Sequence, residues 1–90
     1  MSLTSSQLER VVKGFANRRR LEIMGLLQKK PELSVEEISM QLEIGYENAS
    51  DHIRKLALAG LVLKRHDRKA VRHKLTQRAK VVLTFCKTLE

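Results

Sequence analysis

The stretch SVEEISMQLEIGYENASDHIRKLALAGLVLKRHDRKAVRHKLT, Ser34 to Thr76, decides how this chain folds. Ser34 with Glu37 three residues on has the form of a capping box, which closes two open N–H groups at a helix start. It predicts a helix over 35–43 with Val35, Ile38 and Leu42 inward. Gly45 is expected to supply a tight turn. Over 46–59, Ala49, Ile53, Leu56 and Ala57 fall within a narrow arc at about 100° per residue. Asn48, Asp51 and Lys55 face the other way, flanked by Glu47, His52 and Arg54. Gly60 suits the position just past a helix end. Residues 61–67 and 70–75 then alternate like two strands, joined at Asp67-Arg68-Lys69 without the usual Asn-Gly or Asp-Gly pair.

Upstream, a frayed start over residues 1–4 leads to Ser5 or Ser6 as the cap of a helix running to about Lys13. Leu8, Val11, Val12 and Phe15 share one stripe of it. Asn17 is expected to cap a second helix ending near Lys29, with Leu21, Met24, Leu27 and Ile23 as its apolar positions. Pro31 stops that helix, because the residue before a proline avoids helical geometry. Thr76 caps a last helix to about Leu89, with Ala79, Val82, Leu83 and Cys86 on one side. The expectation is an α+β, mainly α chain in the order α-α-α-α-β-β-α, one domain over 1–90. Aromatics are only 3% of the chain, so its core is aliphatic.

Charge is distributed unevenly. Residues 1–45 carry seven Lys/Arg against six Asp/Glu, and residues 46–90 carry eleven against four. Between 64 and 80 lie eight cations and a single acid, Asp67. Concentrated on a strand pair, that charge fits a polyanionic partner better than a merely solvated face. No apolar run is long enough to span a membrane or to act as a leader, which places the chain in the cytoplasm with no membrane partner.

Two helices joined by a turn and followed by a charged hairpin present one helix to the groove of duplex DNA. Tyr46, Asn48, Ser50 and Asp51 lie in the N-terminal half of the 46–59 helix, where base contacts fall in this arrangement. The Asn48 amide can pair bidentately with adenine. Arg54 and Lys55 suit phosphate contacts, although Lys55 can instead pair with Asp51 at i, i+4. Arg68 and Lys69 sit at the hairpin tip. Arg72 and Lys74 share a strand face away from Val71, His73 and Leu75, again suiting phosphate. The run Arg18-Arg19-Arg20 opposes the dipole at a helix start and calls for a phosphate or an acid such as Glu22. His52, His66 and His73 read as scattered surface residues, and Cys86 as a packing residue. No nucleophile–base pair or glycine-rich phosphate loop is present, so an enzyme is not expected, nor a metal, cofactor or small-molecule effector.

Three segments, FANRRRLEIMGLL (15–27), ELSVEEISMQL (32–42) and AGLVLKRHDRKAVRHKLT (59–76), resemble the ArsR-type winged helix-turn-helix repressors. The resemblance implies a recognition helix at 46–59 and a wing at 61–75. It also implies dimerisation through the helices at 5–14 and 76–89, and a short strand near Leu33. Metal-sensing members carry a cysteine pair in a pattern like E-L-C-V-C-D-L, whereas here Glu32-Leu33-Ser34-Val35-Glu36-Glu37-Ile38 offers serine and glutamate. The helix TQRAKVVLTFCKTL lacks the His and acidic ligands of the other sensor site, so a metal sensor of the known types is not expected. Glu47 and Asp51 stand where members usually carry small polar or basic residues. A carboxylate is repelled by phosphates, yet it can accept from cytosine N4. The resemblance implies a homodimeric, sequence-specific regulator of transcription bound to double-stranded DNA. A winged-helix module for protein–protein contact is the alternative.

Overall fold

The computed structural model describes residues 2–90, and Met1 lies outside them. The elements follow the expected order: α1 (Ser5–Phe15), α2 (Arg18–Lys29), α3 (Val35–Leu42), α4 (Tyr46–Leu58), β1 (Val62–Asp67), β2 (Ala70–Leu75) and α5 (Gln77–Thr88). Asn17, Ser34 and Thr76 cap α2, α3 and α5 as their sequence positions required, each accepting from the backbone N–H three residues on. The cap of α1 is Thr4 rather than Ser5 or Ser6, because Gln7 stands three residues after Thr4 and closes a reciprocal capping box.

The turn between α3 and α4 departs from expectation. Glu43, not Gly45, takes the left-handed conformation (φ 54, ψ 46). The N–H of Ile44 reaches back to the Ser39 carbonyl and that of Glu43 to Met40, closing the last turn of α3. Gly45 is extended (φ −62, ψ 148) and precedes α4 at its cap position, with no side chain to close the helix start. Gly60 does adopt the left-handed region after α4 (φ 72). The carbonyls freed at that helix end are taken up across the fold, Gly60 by the Thr76 hydroxyl at 2.7 Å and Ala59 by Arg78 Nη1 at 3.0 Å.

Ile23, Met24 and Leu27 of α2, Ile38 of α3, Ala49, Ile53 and Leu56 of α4, and Leu61, Val62, Leu75, Ala79 and Val82 form the core. Each buried Leu or Ile contributes about 1.5–3 kcal/mol of transfer free energy. Leu21, read as inward, is exposed, since the buried stripe of α2 is centred on Ile23, Met24 and Leu27. The residue that joins this stripe one turn earlier is Arg20, which is half-buried.

β1 and β2 pair antiparallel from Val62↔Leu75 to Asp67↔Ala70. Leu33 adds the expected short third strand as an isolated bridge to His73, with Glu32 N–H donating to His73 O and His73 N–H to Leu33 O, both 2.9 Å. Of the two turn residues at the wing tip, Arg68 has a positive φ of 55.

α1 packs on α4 through Gly14. A Cβ added there would lie 2.4 Å from the Ala59 Cβ, an atom fixed to backbone with no room to retreat. Gly14→Ala therefore sets a helix-propensity gain of about 1 kcal/mol against an overpacking cost of about 1–3 kcal/mol. Net destabilisation in urea unfolding is the expected result. A stabilised variant would mean that α1 does not rest on α4.

Candidate nucleic-acid interface

The surface of α4 opposite its buried stripe carries Glu47, Asn48, Asp51, Arg54 and Lys55. Asn48 is exposed and is not hydrogen-bonded to another side chain among the described residues. Asp51 gathers the helix's own cations, with Arg54 Nη2 at 2.6 Å and Lys55 Nζ at 3.2 Å. The hydrogen bonds from Arg54 and then Lys55 hold its carboxyl below the usual carboxylate range, so it is ionised at neutral pH. Both candidate phosphate clamps are thus occupied by one acid of the same face. Ser50 lies on the half-buried flank.

Tyr46, at 59% exposure, opens α4 beside the wing. A cleft of about 290 Å³ lies between Tyr46, the start of α3 at Ser34, Val35 and Glu36, and the wing residues Lys69, Ala70 and Val71. The fold therefore brings Tyr46 and Lys69 to the two sides of one cleft.

Lys64, Arg68, Lys69 and Lys74 of the wing are exposed and form no ion pair among the described residues. Arg72 differs. Its Nε lies 3.2 Å from Asp67 Oδ2, and its Nη1 donates to Glu32 O at 3.1 Å and lies 3.7 Å from Glu37 Oε1. Arg65, which sequence reasoning passed over, binds Glu32 Oε1 through Nε at 2.6 Å. Glu32 (φ 66) and Glu37 thus tie the base of the wing to the start of α3. The backbone N–H of Ser34, hydrogen-bonded to Glu37, holds that carboxyl below its ordinary range.

The Arg18-Arg19-Arg20 run separates into different roles. Arg19 pairs with Glu22 at 2.9 Å. Arg20 reaches His52 Nδ1 at 3.2 Å and the Lys13 carbonyl at 3.3 Å. Burial, and next the charge of Arg20, push the His52 pKa down, which leaves Nδ1 free to accept. His73 is not a surface histidine: it is 1% exposed on the inward side of β2. Its Nδ1–H donates to Leu33 O at 2.9 Å, and burial pushes its pKa below the ordinary value. The alternation of β2 put His73 beside Leu75, and that was the available signal of its burial.

Among the described residues, no cluster of three or more His, Cys, Asp or Glu could hold a metal ion, and no helix is long and apolar enough to cross a membrane. Two helices closed by a left-handed turn, a second helix with a polar outer face, and a cationic two-stranded wing define a winged helix-turn-helix protein.

The family described as "Helix-turn-helix domain" matches residues 15–65. The chain belongs to that family and is an ArsR-like winged helix-turn-helix member of it. It is similar to HlyU of Vibrio cholerae N16961 at 32% identity, with TM-score 0.82 over 99% of this chain and 97% of that one. The transcriptional regulator HlyU of Vibrio vulnificus CMCP6 shares 30% identity, TM-score 0.77, over 94% and 88%. The homodimeric winged helix-turn-helix DNA-binding domain of Mb0332 from Mycobacterium bovis shares 26% identity, TM-score 0.86, over 99% and 89%. Among curated proteins, none matches.

Proposed function

We propose that the chain is a homodimeric regulator of transcription that binds duplex DNA with sequence preference. The observation that carries this reading is the outer face of α4, which exposes Asn48, together with a wing whose Lys64, Arg68 and Lys69 form no ion pair among the described residues. In it, α4 enters the major groove, Asn48 reads a base edge, and Tyr46 and Ser50 contact the flanks of the same site. Arg68 and Lys69 hold phosphates, which fixes register without reading sequence. Arg54 and Lys55 reach phosphate only by leaving Asp51, while Arg72 orients the wing through Asp67 and Glu37. The likeness to a homodimeric DNA-binding domain and to a transcriptional regulator supports the assignment. α1 has no buried residue, and its exposed Leu8 and Val12 suit a seam between two copies.

Fluorescence anisotropy on a duplex selected from random sequence, across a salt series, tests the reading. Arg68 and Lys69 on each of two subunits neutralise about four phosphates, so log Kobs is expected to fall with log salt at a slope of about −3.6 or steeper. Absence of binding at low salt would turn the assignment to a protein–protein module.

A further inference from the structure

A groove of about 440 Å³ runs between α1 and α4, lined by Arg10, Lys13, Arg20 and Lys55 together with Gly14, Leu58 and Ala59. No acid lines it. Of this lining the proposed DNA-binding function uses Lys55 and gives Arg10 and Lys13 no part. We propose that the duplex passes over it as well, so that Arg10 and Lys13 of α1 hold backbone phosphates beyond the reach of α4's N-terminal half. This rests on the DNA-binding reading above and extends its contact surface.

Continuity supports the placement. Lys55 belongs both to the outer face of α4 and to the groove wall, so the candidate interface runs into the groove without a break. Arg10 forms no ion pair among the described residues. Lys13 pairs with Glu9 of its own helix, at 3.4 Å between exposed side chains, a contact easily exchanged for phosphate. Arg10 and Lys13 also lie on the side of α1 away from Leu8 and Val12, at about 100° per residue. A second copy packed on that apolar side leaves both cations in solvent.

The occupant is a through-running polyanion rather than a small enclosed anion. The half-buried cation, Arg20, has already directed its two Nη atoms at His52 and at the Lys13 carbonyl. The remaining cations, Arg10, Lys13 and Lys55, are exposed, and glycine, leucine and alanine complete the lining. Exposed cations contributed by two helices suit the phosphates of a duplex, which lie along it in a line.

The test compares the full chain with Arg10→Gln/Lys13→Gln and with a charge-matched control, Lys29→Gln/Lys87→Gln, on the selected duplex across a salt series. The expected result is a slope shallower by about 2 to 4 for the groove variant, at about 0.9 per phosphate over two subunits. Affinity then falls on every duplex alike, the preference for the selected sequence is kept, and the control variant matches the unaltered chain. An unchanged slope in the groove variant, or an equal shift in both variants, overturns the groove assignment while DNA binding stands. Saturable binding of inorganic phosphate that the groove variant loses, with its DNA slope intact, makes the groove a free-anion site and also overturns it. If the unaltered chain binds no duplex at any salt, the DNA-binding reading falls and the groove assignment with it.

Discussion

Leu8→Glu/Val12→Glu is expected to turn the protein into a monomer and to weaken its hold on a two-half-site duplex by about 10²–10⁴-fold. α1 is an amphipathic helix whose apolar stripe is wider than the surface it packs on. Val11 and Phe15 reach the core, whereas Leu8 and Val12 remain 50% and 48% exposed. α5 repeats the pattern, with Ala79 and Val82 buried and Val81 and Phe85 exposed. Covering the exposed halves of Leu8 and Val12 on two copies removes four partial side chains from water, at about 1 kcal/mol each. That alone moves a dimer dissociation constant by roughly 10³. Carboxylates at both positions replace this gain with repulsion across the two-fold axis, where the same patch meets itself. Neither side chain contributes to the core, so thermal unfolding should report a folded monomer. Sedimentation equilibrium reads the assembly, and anisotropy on duplexes with one and two half-sites reads the avidity. A variant that stays dimeric would place the seam elsewhere.

What the sequence disclosed and what it concealed divide by distance along the chain. Asn17, Ser34 and Thr76 announce helix starts because a cap and the backbone N–H that donates to it lie three residues apart. The inner face of α4 was legible for the same reason, its periodicity being local. The left-handed residues Glu32, Glu43 and Arg68 were not, because none is glycine and each is held by its surroundings. Gly45 looked like the turn and is extended, since the backbone bonds of Glu43 and Ile44 to α3 make the bend before it. The site divides likewise. Asn48, Asp51 and Lys55, flanked by Glu47 and Arg54, are legible as one helix's outer face. The fate of the cations depended on partners remote in sequence: Arg20 on His52, 32 residues away, Arg65 on Glu32, 33 away, and Arg72 on the Glu32 carbonyl, 40 away. Charge counts measured the amount of positive charge and could not tell which of it was already paired.

That distinction bears most directly on Asp51. Asp51→Asn is expected to tighten binding to duplex DNA by tenfold or more and to steepen its salt dependence. The aspartate now holds Arg54 at 2.6 Å and Lys55 at 3.2 Å, on the face proposed to meet the groove. Asparagine keeps the size and the polar character but removes the charge, so both cations become free to reach phosphate. With two subunits the slope could steepen by up to about 3.6, at roughly 0.9 for each phosphate gained. Loss of a carboxylate near the phosphates acts in the same direction. Sequence preference reports on the competing role for this residue. If Asp51 instead leaves its cations and accepts a hydrogen bond from cytosine N4, the substitution removes a base contact worth about 1–3 kcal/mol of discrimination. Specific binding then weakens while binding to unrelated duplexes strengthens. Measuring the variant on the selected duplex and on a scrambled one separates the cases: a parallel gain on both means Asp51 restrains the clamps, and opposite changes mean it reads a base. A slope no steeper than that of the unaltered chain on either duplex would show that Arg54 and Lys55 do not reach the phosphates even when released.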